Sequence, residues 1–198
     1  MKKKFLIALG LVVILVMSVL YSYTDVTESY YDTESTQTTN IGNLTKDKEV
    51  RLEFIADKNN LGSISLMIGT YSRANLPTMD VQILDEEQRI VAQKSINLMD
   101  VTDNSYYKLS FVPYKESENR TFSVILSSPE AIGENAATIY TYQSKGDSTH
   151  LYLNGVEQNY SLACRASYYN NFDVATLVVL MYFIALIIFF IIFIYKIL

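Results

Sequence analysis

The chain has 198 residues, 21 acidic and 16 basic, and its hydrophobic fraction of 49 % is concentrated at the two ends. Lys2, Lys3, Lys4 and Lys196 lie outside residues 24–173, which leaves that middle 12 basic against 21 acidic side chains, a formal charge of −9. This excludes a nucleic-acid surface, which needs a basic patch, and the single cysteine, Cys164, excludes an intrachain disulfide.

Lys2 to Lys4 precede an apolar run from Phe5 to Leu20. The run is long for a signal-peptide core and no small-residue cleavage site follows it, so residues 1–23 read as an uncleaved signal anchor that spans the membrane. Residues 24–47 are rich in Thr, Ser, Asp and Glu and read as a polar spacer, with a short edge strand near Tyr30 or Ile41.

From residue 48 the hydrophobic period becomes two. Val50, Leu52, Phe54 and Ala56 share one face, as do Ile64, Leu66 and Ile68, then Met79, Val81 and Ile83. Asp85 to Gln88 link the last of these to Ile90-Val91-Ala92 as a hairpin. Tyr107, Leu109 and Phe111 make the next strand, with Pro113 ending it or marking a sheet edge. Phe122, Val124 and Leu126, then Ala137 to Tyr142, Thr149 to Leu153 and Val156 to Ala166 complete the set. Asn154-Gly155 is a two-residue hairpin signal, because a type I′ turn needs positive φ at both positions. Eight or nine short strands without an intervening helix predict an all-β antiparallel sandwich, a jelly roll, over residues 48–172.

Residues 173–198 hold about 22 uncharged apolar positions, long enough to cross a bilayer core of about 30 Å. The lysines at both ends keep both termini cytoplasmic. The expected protein is therefore a double-pass cell-membrane protein with its main domain extracytoplasmic between two transmembrane α-helices. Tyr21, Tyr23, Tyr168, Tyr169 and Phe172 are expected at the outer interface.

The run from Phe54 to Ile96 contains a strand ending in Tyr71-x-Arg73-x-Asn75, and a later Asp103-Asn104 is followed by Tyr106 and Tyr107. Over about Glu49 to Tyr142 these features resemble the extracytoplasmic jelly-roll, galactose-binding-like domains of bacterial multi-pass envelope glycosyltransferases and related polysaccharide membrane proteins. With two spans only, the resemblance implies an accessory version of such an outer domain. It would bind an envelope glycan or protein partner and sit beside a larger membrane protein such as a glycosyltransferase, without catalysis of its own. The alternative is a structural or assembly subunit with no small-molecule ligand.

The site residues expected on this basis are Tyr71, Arg73, Asn75, Asp103, Asn104 and Tyr106. Two readings stand for the Tyr71 turn. The Arg73 guanidinium and Asn75 amide suit sugar hydroxyls or a carboxylate; equally, Arg73 can pair with an acidic neighbour while Asn75 closes the turn. Asp100 and Asp103 offer oxygen ligands for calcium, which needs six to eight oxygens. Tyr140 and Tyr142 alternate with Thr141 and either line an exposed face or pack in the sheet. Cys164 reads as a small buried hydrophobe and His150 as a surface residue.

Overall fold

A computed structural model describes residues 10, 12, 13, 16, 25–29, 38–142, 149–169 and 174–197. Residues 26–168 form one unit, and residues 1–25 with 169–198 form the other.

The first unit is a two-sheet antiparallel β-sandwich. Its strands are β1 (Asp25–Ser29), β2 (Thr38–Asn43), β3 (Val50–Ile55), β4 (Leu61–Gly69), β5 (Thr78–Leu84), β6 (Ile90–Asn97), β7 (Ser105–Tyr114), β8 (Thr121–Ser127), β9 (Thr138–Tyr142), β10 (Thr149–Leu153), β11 (Val156–Glu157), β12 (Ser161–Leu162) and β13 (Cys164–Tyr169). One sheet runs β1-β13-β4-β9-β12, with β2 added on β9 and β7 on β4; the other runs β11-β10-β3-β8-β5-β6.

Alternation explains the core. Val50, Leu52 and Phe54, Ile64, Leu66 and Ile68, Met79, Val81 and Ile83, and Phe122, Val124 and Leu126 are each at most 1 % exposed. Each set of three points from its strand into the space between the sheets, because successive strand residues face opposite ways. Phe54 stands opposite Phe122 in the β3–β8 register. Their rings stack with centroids 5.8 Å apart, and Tyr114 meets Phe122 edge-on at 5.2 Å. Cys164 lies in the same core, and burial pushes its thiol up to about 12.

The turns follow their chemistry. Asn154 (φ 49°) and Gly155 (φ 79°) join β10 to β11 with positive φ at both positions. In the β5–β6 hairpin, the Asp85 carboxylate accepts from the backbone N–H groups of Glu87 and Arg89 and from Arg89 Nε at 2.8 Å. Burial alone would raise the Asp85 carboxyl, but the Arg89 bonds and charge outweigh it and hold it below the usual carboxylate range. Pro113 lies in β7, whose single partner among the described strands is β4, so it sits on a sheet edge.

Two expectations need adjustment, and one turn changes sheets. The polar stretch 24–47 contains two strands, β1 and β2, rather than one short edge piece. β4 and β5 belong to different sheets, so the Tyr71 turn carries the chain across the sandwich. Tyr168 is not an interfacial ring: it is 2 % exposed, and its hydroxyl accepts from the Asp57 N–H at 3.0 Å. It continues the inward series of Cys164 and Ala166 on β13.

In the second unit, helix α1 runs over Val174–Ile197, 24 residues. Among the described residues no helix is long and apolar enough to cross a membrane. The expected N-terminal span lies outside the described residues except at Gly10, Val12, Val13 and Val16, which are helical.

Candidate functional site

The site lies where β4, β7 and β9 meet. Ile68 and Gly69 at the end of β4 stand opposite Ile139 and Thr138 of β9, while Met67 and Ile68 stand opposite Tyr106 and Ser105 of β7. β2 flanks β9, with Asn40 opposite Tyr140 and Thr38 opposite Tyr142. Since Ile139 is buried in the core and Thr141 points the same way, Tyr140 and Tyr142 face outward.

The chain leaves β4 in a tight turn in which Tyr71 and Ser72 both hold φ 53°. Left-handed backbone at two consecutive non-glycine residues persists only where the surroundings fix it. Asp103 does so: its Oδ1 accepts from the N–H groups of Thr70 at 2.6 Å and Tyr71 at 2.8 Å. Burial would raise this carboxyl, yet the Tyr71 and Thr70 amides outweigh it and hold it below the usual range. Asp103 thus acts through the backbone of the turn.

Arg73 closes the turn from the other side. Its Nη1 donates to Asn43 Oδ1 at 3.1 Å and to the Ala136 carbonyl, and its guanidinium lies 5.1 Å from the Tyr71 ring centroid. Among the described residues Arg73 pairs with no carboxylate; strand β2 and the loop before β9 supply neutral acceptors instead. Asn75 is exposed in a left-handed conformation (φ 56°), and no hydrogen bond among the described residues ties its side chain to the cluster.

The side chains that do converge are Tyr71, Asn104, Tyr140 and Asn40. Asn40 Nδ2 donates to Tyr71 Oη at 3.2 Å, and Tyr140 Oη donates to Asn104 Oδ1. Tyr71 is 42 % exposed. Burial, then the Tyr71 hydroxyl, pushes the Tyr140 hydroxyl above its ordinary value, so it stays a neutral donor. Gly69 makes room for this ring: a Cβ there would stand 2.9 Å from Tyr140 Cε2 and 3.0 Å from Thr138 Cγ2.

Next along the same face, Tyr106 and Tyr142 share a hydroxyl hydrogen bond at 2.9 Å, and the Arg165 guanidinium lies 3.8 Å from the Tyr106 ring centroid. Burial and the Tyr142 bond push Tyr106 up to about 12. The result is a row of four tyrosines with two amides and a guanidinium along one sheet face. Of the six expected residues, the fold brings together Tyr71, Asp103 and Asn104, puts Tyr106 beside them, and commits Arg73 to the turn. Asn40 and Arg165 were missed, since neither has a local sequence signal.

The expected calcium ligands are otherwise engaged. Asp100 Oδ2 accepts from Asn97 Nδ2 at 3.0 Å, and Asp103 has the bonds described above. Among the described residues no three acidic, histidine or cysteine side chains gather as a metal-holding group. His150 is exposed and meets Glu157 at 2.8 Å.

No family model and no curated relative matches the chain. Among solved structures, it is similar to the cysteine protease and lectin-like domains of Cwp84, a surface-layer associated protein of Clostridium difficile, with a TM-score of 0.44 and 9 % identity. That match covers 63 % of this chain and 32 % of the other, so the chain spans about a third of that structure's length. It is also similar to the C-terminal domain of EclA, a sugar-binding protein, with a TM-score of 0.21 and 15 % identity over 67 % of this chain and 78 % of that one. At these scores neither likeness carries weight for what this chain binds.

Proposed function

We propose that the chain is a membrane-tethered, extracytoplasmic carbohydrate-binding protein of a bacterial envelope, working as an accessory to a larger membrane enzyme of polysaccharide assembly. One observation carries the binding part: Tyr106, Tyr140, Tyr142 and Asn40 on strands stand together with Tyr71 and Asn104 in the adjoining turns. Tyrosine rings offer flat apolar faces to sugar C–H groups, and the hydroxyls and amides match sugar hydroxyls in both donor and acceptor roles. The left-handed turn held by Asp103 is the sort of stored strain that clusters at binding sites. Membrane tethering rests on the uncharged C-terminal run and the lysines at both ends. A weak site suffices there, because membrane confinement raises the effective concentration of the partner.

The second reading is an assembly subunit without a small ligand. Its support is that Arg73 and Asp103 both spend their hydrogen bonds on the fold.

Titration of the full chain in nanodiscs with envelope oligosaccharides separates the two. Dissociation constants on the order of 0.1–1 mM are expected, and Tyr140→Ala should weaken binding about tenfold, the loss of roughly 1.4 kcal/mol. Failure of every oligosaccharide to bind the unaltered protein leaves the assembly reading.

Topology has its own check. Cys164 is buried and its thiol pushed up, so it stays unreactive. A Glu116→Cys variant then carries one accessible thiol, at a side chain 85 % exposed. It should react with an impermeant maleimide on intact cells; reaction only after lysis would contradict the outward placement.

A further inference from the structure

The protein has five arginines, and four are accounted for by the fold. Arg51 pairs with Glu53 at 2.7 Å, Arg89 with Asp85 at 2.7 Å and Glu87 at 2.8 Å, and Arg120 with Glu86 at 3.4 Å and Glu116 at 3.6 Å. Arg73 holds two neutral oxygens. Arg165 differs: its guanidinium lies 3.8 Å from the Tyr106 ring centroid, and among the described residues it pairs with no carboxylate. In a domain where acids outnumber bases, a half-buried arginine with no carboxylate partner among the described residues has charge to offer a ligand.

Its place in the sheet makes that charge useful. Arg165 of β13 stands opposite Ser65 of β4, and Ser65 stands opposite Lys108 of β7 on the other side. Arg165 and Lys108 therefore flank the buried Ser65 on the sheet face that carries Tyr106, which stands opposite Met67 two residues along β4. The outward positions of β4, β7 and β13 include serines, Met67, Tyr106, Val112, Tyr169 and these two bases, and none of those described is acidic. Burial keeps the Tyr106 hydroxyl protonated, so it does not repel an anion.

We propose that Arg165 receives the carboxylate of an acidic sugar, a uronic acid unit lying beside Tyr106 and Tyr142. This rests on the carbohydrate reading above and adds the ligand class to it. A planar guanidinium matches a carboxylate with two parallel hydrogen bonds. Partial burial strengthens the pairing by reducing solvent screening.

The test compares two oligosaccharides of one backbone on the full chain in nanodiscs: the uronate form and its carboxyl-reduced neutral form. The uronate form should bind at least about tenfold tighter at low salt, and the preference should shrink as ionic strength rises and screens the charge. Arg165→Gln should bring the uronate form down to the affinity of the neutral one, while Arg165→Lys, which keeps charge but not the planar fork, should recover only part of the preference. Equal binding of the two forms to the unaltered protein overturns the proposal and leaves the carbohydrate reading standing. Binding of neither form overturns the carbohydrate reading itself. A sulfated form that binds as tightly as the uronate would overturn the carboxylate assignment. Because the first comparison uses no variant, a folding defect in Arg165→Gln cannot obscure the answer.

Discussion

Replacing Asp103 by alanine is expected to abolish oligosaccharide binding and to cost the domain about 1.5–3 kcal/mol, the worth of a hydrogen bond to a charged group. Asp103 is the acceptor for two consecutive N–H groups, at Thr70 and Tyr71. Thr70 is buried, so its amide would have no replacement partner, whereas the exposed Tyr71 amide can turn to water. Without the carboxylate, the φ of 53° at Tyr71 and Ser72 has no anchor. The Tyr71 ring then leaves Asn40, and the row of tyrosines loses its end. Asp103→Asn should be milder, since an amide oxygen still accepts. The two variants also differ with pH. The folded carboxyl is held below its ordinary value, so its contribution is fully present above the unfolded carboxylate pKa and is lost as pH falls through the folded one. Asp103→Asn should therefore flatten the acid limb of the stability curve, with Asp85 supplying what slope remains. An unchanged acid limb, measured by urea unfolding across acidic pH, would show that Asp103 does not hold the turn.

The largest loss of stability is expected from Phe122→Ala, about 3–5 kcal/mol. Phe122 is fully buried, stacked on Phe54 across the β3–β8 pair and met edge-on by Tyr114. Truncation removes apolar burial and two ring contacts, and it leaves a cavity that rigid strands on both sides cannot close. Against a total stability of about 5–15 kcal/mol, the loss is large enough to unfold a marginal domain. Phe122→Leu, nearer in volume, should lose much less. Urea midpoints for the two variants supply the comparison; a loss under about 1 kcal/mol for alanine would mean that the sandwich collapses around this position.

The sandwich was legible in the sequence because its information is local. Ile64, Leu66 and Ile68 declare a buried face by their spacing alone, and Asn154-Gly155 declares a turn by its backbone demands. The site was only half legible. Tyr71 and Asp103 stand in recognisable polar turns, yet the fate of Arg73 depends on Asn43 and Ala136, 30 and 63 residues away. No local pattern reveals such partners. Asn40 and Arg165 are single polar residues on strands, and only strand order puts them with the tyrosines. Tyr168 is a different case. Its nearness to an apolar run suggested a membrane interface, while the alternation through Cys164 and Ala166 already pointed it inward.

The last strand of the sandwich, β13, is a central one, paired along β4 about a hundred residues upstream. One edge of β4 therefore stays open until the chain has been made and delivered through Tyr169. Such late, long-range closure slows folding, because the loop entropy is lost before the contacts form. For as long as it lasts, β4 exposes a free edge able to pair with another nascent copy. Helix α1 begins at Val174, so the strand that completes the sheet and the start of the apolar helix are made within a few residues of each other during synthesis.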